Sequence, residues 1–204
     1  MNDGGYPAEQ KVLDGLGSDF LQVFVDAVAG AREDYAVFRR EHPDWLAGFA
    51  SRSTAAVMHE RLWGRLVALV DALEGIRIVD EPPVRETIIG MSYRARIKRH
   101  HLDDTIASYP TASSLAFWAP GAATFDGLEQ YSLALGYEWD EETREPGAAV
   151  VSLRDGTQRA IWKISLDRDE EKDAGFTWSS VEPRLPQLDL SVVLTEADDE
   201  EDLA

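Results

Sequence analysis

The stretch STAAVMHERLWGRLVALVDALEGIRIVDEPPVRETIIG, residues 53–90, decides the predicted fold because its apolar periodicity changes along its length. Up to Gly75 the apolar residues recur at every third or fourth position, as they do on one face of a helix. The members of this apolar stripe are Met58, Leu62, Leu66, Leu69 and Leu73, with Val70 beside them. From Ile76 onward the period is two, which is typical of strands. We therefore predict a helix that Ser53 or Thr54 caps and Gly75 ends, followed by a sheet.

A second helical segment is predicted upstream of this stripe. Ser18 is its predicted N-cap, and the next apolar residues share one helical face. These residues are Phe20, Leu21, Phe24, Val25 and Val28. The helix is predicted to run to about Arg40, because the residue before Pro43 is disfavoured in a helix. Residues 18–75 thus form a predicted helical hairpin or three-helix lobe, and residues 1–17 a flexible arm.

Residues 76–195 are predicted as a mostly antiparallel, strongly twisted sheet of about six to eight strands. Alternation and turn signals mark nine candidate segments for these strands, at 76–79, 84–89, 93–100, 105–109, 131–139, 148–154, 157–166, 176–180 and 188–194. A short helix near 111–119, with Thr111 as its N-cap, follows the hairpin predicted from the third and fourth strands. The predicted fold class is α+β, with residues 18–195 as one domain and residues 196–204 as a disordered acidic tail.

Charge is distributed unevenly over the 204 residues, which carry a net charge of -18. Residues 1–90 hold nine Lys and Arg against 15 Asp and Glu, residues 91–118 hold four against two, and residues 119–204 hold seven against 21. A body this acidic repels nucleic acid and anionic membranes over most of its surface. The charge favours a basic protein partner, and the alternative is that it only keeps the protein soluble.

Composition and motifs exclude several kinds of chemistry. The chain has no cysteine, which rules out disulfides, cysteine-ligated zinc and a cysteine nucleophile. It has no secretory signal and no apolar run of about 18 residues, so we expect a cytoplasmic protein without a membrane span. The sequence contains no phosphate-binding loop, dinucleotide-binding glycine motif or nucleophile elbow. We therefore predict no cofactor and no metal, and we favour a protein that is not an enzyme.

Positive charge gathers only in residues 93–99, YRARIKR, on the third predicted strand. Arg94, Arg96 and Lys98 project from one face of this strand, and Tyr93 and Arg99 project from the other. These five residues are the candidates for binding an anion or a partner. Two explanations compete for the row of cations. Either acids on neighbouring strands neutralise it, such as Glu86, Glu138 or Asp140, or the row contacts an anionic partner.

His100, His101 and Asp103 are further candidates because their side chains can bind metals or transfer protons. Adjacent histidines on a strand point to opposite sides, so both rarely reach one ion. Asp103 and Asp104 are also ordinary turn residues. A metal site, or an acid/base pair of His101 with Asp103, is therefore the less favoured interpretation.

Two functions remain open at this point. The first is an interaction or regulatory module whose acidic body binds and restrains a basic protein, as an antitoxin or inhibitor does. The second is a nucleic-acid or nucleotide-handling enzyme or sensor that uses Arg94 to Arg99. The apolar spacing of 62, 66, 69 and 73 also suits the seam of a helical dimer, so the sequence leaves monomer and homodimer open.

Overall fold

The computed structural model describes residues 6–82, 84–119, 129–169 and 175–182, and within them the fold is α+β, as predicted. The helices are α1 (Glu9–Leu16), α2 (Ser18–Glu41), α3 (Pro43–Ala47), α4 (Ser51–Val70) and α5 (Ala112–Trp118). The strands are β1 (Ile76–Glu81), β2 (Val84–Ile89), β3 (Tyr93–His101), β4 (Tyr131–Asp140), β5 (Glu145–Asp155), β6 (Arg159–Arg168) and β7 (Phe176–Val181). The seven strands form one sheet whose spatial order follows the order of the chain.

Helices α2 and α4 pack side by side on one face of the sheet, because each buries an apolar stripe against it. The buried residues of α4 are Thr54, Met58, Leu62, Trp63, Leu66 and Val70. This set lacks Leu69 and Leu73 of the predicted stripe and adds Thr54 and Trp63. Leu69 is 42% exposed, whereas the Trp63 ring is buried and its Nε1 donates a hydrogen bond to Asp80 of β1 at 2.9 Å.

The helix ends also differ from the prediction. The N-cap residues are Gly17 for α2 and Ala50 for α4, and neither makes a side-chain cap hydrogen bond, so the predicted caps are wrong. Helix α4 ends at Val70 instead of Gly75. Gly75 has a φ of 77°, a conformation that favours glycine, and its carbonyl accepts a hydrogen bond from Gly90 at 2.9 Å where β1 begins.

Helix α1 lies in the segment predicted as a flexible arm, and that prediction is wrong for residues 6–17. Three apolar side chains of α1 are at most 4% exposed, and these are Val12, Leu13 and Leu16. Each such burial contributes roughly 1.5–3 kcal/mol, which opposes the entropy lost in ordering the segment. The indole of Trp162 in β6 also donates a hydrogen bond to the Pro7 carbonyl at 3.0 Å, which fixes the start of the segment.

Strands β3 and β4 are parallel, whereas all other neighbouring strands are antiparallel. The predicted hairpin of 93–100 with 105–109 is therefore wrong. Residues 105–109 pair with β3 through a single β-bridge, between Ile106 and His100. The physical reason is that 105–109 buries only one apolar side chain, while β4 buries five. Those five are Leu133, Ala134, Leu135, Tyr137 and Trp139.

The connection from β3 to β4 carries α5 across the face of the sheet opposite α2 and α4. Thr111 caps α5 as predicted, since its Oγ1 accepts a hydrogen bond from the Ser114 amide at 3.1 Å. Residues from the crossover and from β4 form a small second core, and these are Ile106, Phe117, Trp118 and Ala134. The sheet is thus covered on both faces along β3 and β4.

The main core lies between the sheet and helices α1 to α4. The predicted strand 188–194 and the predicted acidic tail 196–204 lie outside the described residues. Within the described ranges, none of the helices is both long enough and apolar enough to cross a membrane.

Candidate functional site

Strand β3 places its side chains alternately on the two faces of the sheet, as its two-residue period predicts. The side chains that pack into the main core are Tyr93, Ala95 and Ile97. Arg94, Arg96 and Lys98 lie on the other face, which α5 covers. The predicted row of cations is therefore present, and what surrounds it determines what it can bind.

Glu86 of β2 neutralises part of this row. Its carboxylate is 4% exposed, and its Oε2 accepts hydrogen bonds from Nε and Nη2 of Arg94 at 3.0 and 2.6 Å. Its Oε1 accepts hydrogen bonds from Nε and Nη2 of Arg96 at 3.0 and 2.6 Å. Charge-assisted bonds of this kind are about twice as strong as neutral ones. Two guanidinium groups and one carboxylate leave the group with a net charge of about +1.

The other two acids that were predicted to neutralise the row have different partners. Glu138 lies 3.4 Å from the ammonium of Lys163 on β6. Asp140 accepts hydrogen bonds from the amides of Glu142 and Thr143 at 2.7 and 3.1 Å in the turn before β5. The hydrogen bond from the Thr143 amide, followed by the one from the Glu142 amide, lowers the pKa of Asp140. Of the predicted acids, Glu86 is thus the one that pairs with the row.

Lys98, the third cation of the row, lies farther along β3 and is largely shielded from solvent. Its Nζ donates a hydrogen bond to the Ser108 hydroxyl at 3.3 Å, and Ser108 lies 2.7 Å from the Ser114 hydroxyl. Burial, with a smaller contribution from the charge of Arg96, lowers the pKa of Lys98 to about 8. Lys98 is therefore held in a chain of hydroxyl groups beneath α5.

A cavity of about 450 Å³ opens beside Arg94 and Arg96. Its lining residues come from the β1–β2 hairpin, from β3, from α5 and from residues at or just before the start of β4, and they are Val79, Val84, Glu86, Arg94, Arg96, Ser113, Ala116, Phe117, Gln130 and Ser132. The ring of Phe117 packs against both cations, with its centroid 4.1 Å from the guanidinium carbon of Arg96 and 5.1 Å from that of Arg94. The cation–π attraction to this ring further stabilises the positions of both arginine side chains.

Tyr93 and Arg99 lie on the helical side of the sheet and do not line this cavity. The Tyr93 hydroxyl donates a hydrogen bond to the Lys11 carbonyl at 3.4 Å, and burial raises the pKa of this phenol. Nη1 of Arg99 donates to Ser51 at 2.9 Å, and its guanidinium carbon lies 5.5 Å from the centroid of the Trp139 ring. Both side chains connect the sheet to the helices.

His100, His101 and Asp103 do not converge on one point. His100 is fully buried on the α5 side, where its Nε2 lies 3.0 Å from the Ser152 hydroxyl, and burial lowers its pKa well below the usual value. His101 points to the opposite side and contacts Glu141 at 3.1 Å. Asp103 accepts bonds from the amide and hydroxyl of Thr105 at 3.0 and 2.7 Å, which is turn chemistry.

No group of three potential metal ligands is present in the part of the chain that the structure describes. The predicted acid/base pair of His101 with Asp103 is not formed either, since His101 contacts Glu141 and Asp103 binds Thr105. The candidate residues that the structure brings together are therefore Arg94, Arg96 and Lys98.

A buried charged cluster that was not predicted from the sequence lies between β5, β6 and the loop after β3. Lys163 and Asp104, both at most 4% exposed, form an ion pair of 2.5 Å. Arg154 donates to the carbonyls of Asp104 and Thr157 at 2.5 and 3.0 Å, and burial lowers its pKa to about 10. Asp104 has a φ of 67°, which is uncommon outside glycine. This cluster holds the loop on the sheet, and the signal for it was Ser152 and Arg154 alternating with apolar residues on β5.

Comparison with models of protein families, with curated proteins and with solved structures finds no significant match to this chain.

Proposed function

We propose that this protein is an interaction or regulatory module whose acidic surface binds and restrains a basic protein. The observation that supports it most directly is that the chain already binds most of its own described cations. Exposed examples are Arg39 with Glu145 at 2.8 Å, Arg61 with Asp34 at 2.7 Å and Arg168 with Asp26 at 2.8 Å. The excess of carboxylates is therefore what the surface offers to a partner.

The sequence supports the same proposal through the position of that excess. Residues 119–204 carry 21 Asp and Glu against seven Lys and Arg, and residues 196–202 alone read EADDEED. Complementary charge speeds association with a basic protein and disfavours acidic competitors. A module of this kind needs no catalytic group, in keeping with the scattered positions of His100, His101 and Asp103.

The alternative function is a nucleic-acid or nucleotide-handling enzyme or sensor. Its main support is the row of cations on β3. The pairing of Arg94 and Arg96 with Glu86 weakens that argument for a long nucleic acid, because a polyanion needs several free cations in sequence. Burial of Lys98 weakens it further. One observation still favours a small anion, namely the cavity beside the two arginines.

The test of the proposed function is capture with the full chain at low salt, followed by reconstitution from purified components. We expect a partner with a strongly basic composition, whose Kd rises at least tenfold between about 50 and about 300 mM NaCl. A variant in which the six acidic residues of 196–204 become Asn or Gln should bind more weakly than a variant with Ala197→Ser and Leu203→Ser in the same segment.

Two results would contradict the proposal. One is a reconstituted complex whose affinity responds neither to salt nor to neutralisation of residues 196–204. The other is a partner that is acidic, or that loses affinity only when the cavity beside Arg94 is changed. In that case binding would depend on the cations of β3 and not on the acidic surface.

A further inference from the structure

We propose that the cavity beside Arg94 and Arg96 binds a small organic monoanion, in which one carboxylate is joined to an apolar or aromatic body. This inference does not rest on the binding of a basic protein, since it concerns a different surface and a ligand of opposite charge. It rests on three properties of the cavity: its charge, its free hydrogen-bond donors and its apolar wall.

The charge of the cavity favours a single negative charge on the ligand. Glu86 is 4% exposed and balances one of the two guanidinium groups, so Arg94, Arg96 and Glu86 together keep about +1. The charge of this site thus has the opposite sign to the net charge of the chain, which is -18. A monoanion neutralises it, whereas a dianion would leave an uncompensated charge close to Glu86.

Both arginines keep donors that a carboxylate can use. Each uses Nε and Nη2 to bind Glu86, and neither Nη1 makes a hydrogen bond within the described ranges of the chain. Nη2 of Arg96 also donates to the Ser113 hydroxyl at 3.4 Å, which leaves the hydroxyl proton of Ser113 for a ligand. Glu86 therefore orients the two guanidinium groups before any ligand arrives, and less ordering is required on binding.

The remaining wall of the cavity is apolar and suits a hydrocarbon or aromatic body. The apolar side chains are Val79, Val84, Ala116 and Phe117. A volume of about 450 Å³ lies in the usual range of small-molecule sites, roughly 300–1,000 Å³. A bare inorganic ion would fill only part of this space, so the ligand class is an organic acid.

The experiment uses the full ¹⁵N-labelled chain and 1-naphthoate as the probe, with 1-naphthamide as its neutral counterpart. We expect saturable shifts in the amide resonances of residues 84–96 and 113–117 with naphthoate, with a Kd on the order of 1 mM or below. Naphthamide should bind at least tenfold more weakly. 1-Naphthyl phosphate, mainly a dianion at pH 8, should also bind more weakly than naphthoate.

Two pairs of variants separate binding from folding. Ser113 is exposed in the first turn of α5, so Ser113→Asp places a carboxylate beside Arg96 without disturbing the core. We expect the affinity of Ser113→Asp for naphthoate to be at least tenfold lower than that of the parent. The affinity of Ser113→Asn should stay within about threefold of the parent. Arg94→Gln should lose binding, whereas Arg61→Gln, which removes an arginine paired with Asp34 on the other side of the sheet, should retain it.

The proposal is overturned if naphthamide binds as tightly as naphthoate, if the phosphate binds more tightly than the carboxylate, or if the shifts occur outside the cavity. It is also overturned if Ser113→Asp, folded by its thermal melt, binds naphthoate like the parent. Failure of this site leaves the salt-dependent binding of a basic protein unaffected, so the two proposals fail independently.

Discussion

Replacing Glu86 with Gln tests the role of this carboxylate most directly. The variant keeps the size of the side chain but removes the charge that both arginines bind. Breaking a buried ion pair by removing one partner costs about 3–5 kcal/mol, because the remaining charge is left without compensation. Arg96 is 13% exposed and Arg94 is 34% exposed, so solvent stabilises part of what is left. We therefore expect the free energy of unfolding to fall by about 2–3 kcal/mol.

The chain offers a matched control in Glu60→Gln. Glu60 contacts Arg85 at 2.6 Å, the same distance as in the pairs of Glu86, but its side chain is 62% exposed. An exposed pair contributes roughly 0.2–1 kcal/mol. The same chemical change should therefore have a much smaller effect at this position, and it should shrink further as salt is added.

Urea denaturation, followed by circular dichroism at about 0.1 and about 1 M NaCl, measures both variants. A fall in the free energy of unfolding of less than about 1 kcal/mol in Glu86→Gln, or of the same amount in both variants, is one contrary outcome. It would show that burial does not strengthen the ion pairs of Glu86 with Arg94 and Arg96. A loss that disappears at high salt would show that Glu86 is in effect exposed to solvent. Either result would refute the assignment of Glu86 as the buried counter-charge of Arg94 and Arg96.

Three further predictions concern other parts of the chain. Burial lowers the pKa of His100 well below 6.5, so this imidazole stays neutral in the folded state at a pH where it takes up a proton in the unfolded state. The free energy of unfolding should therefore fall as the pH drops below about 6.5. Urea titrations in that range should show a shallower pH slope for His100→Gln than for the parent. Burial lowers the pKa of Lys98 to about 8, so NMR of the dimethylated protein should show one lysine resonance, absent from a Lys98→Arg variant, titrating well below the usual lysine value of about 10.4. Leu16→Ala should lower the free energy of unfolding, measured by urea denaturation, by about 2–5 kcal/mol. A change below about 0.5 kcal/mol would contradict the packing of α1.

The class of the fold follows from the sequence because periodicity is a local property. The change from a period of 3.6 to a period of two at Ile76 coincides with the start of β1, and the alternation of Arg94, Arg96 and Lys98 places them on one face of β3. The choice of partner strand is not local. Residues 105–109 were predicted to pair with β3 because they are close in sequence, yet the neighbours of β3 in the sheet are β2 and β4, and β4 begins only after the long connection 102–130.

The same distinction explains which contacts of the site could be predicted. Glu86 could be named as a partner of the arginines because it lies on the preceding strand. The ion pair between Asp104 and Lys163 could not, since it joins a loop to a strand three positions away in the sheet. Helix α1 was missed for a related reason: its apolar residues become buried only when α2 and β6 are in place.

The parallel pairing of β3 with β4 also explains why a cavity forms beside the row of cations. An antiparallel hairpin would have returned the chain beside β3 and left Arg94 and Arg96 facing solvent. A parallel neighbour instead requires a crossover, and that crossover carries α5 over the row and places Phe117 4.1 Å from Arg96. On the other side, β2 pairs with β3 only as far as Thr87 opposite Ala95, so Glu86 lies just beyond the last pair and reaches both arginines. A cation row with a helix above it and one carboxylate beneath it accommodates a single small anion better than a nucleic-acid strand.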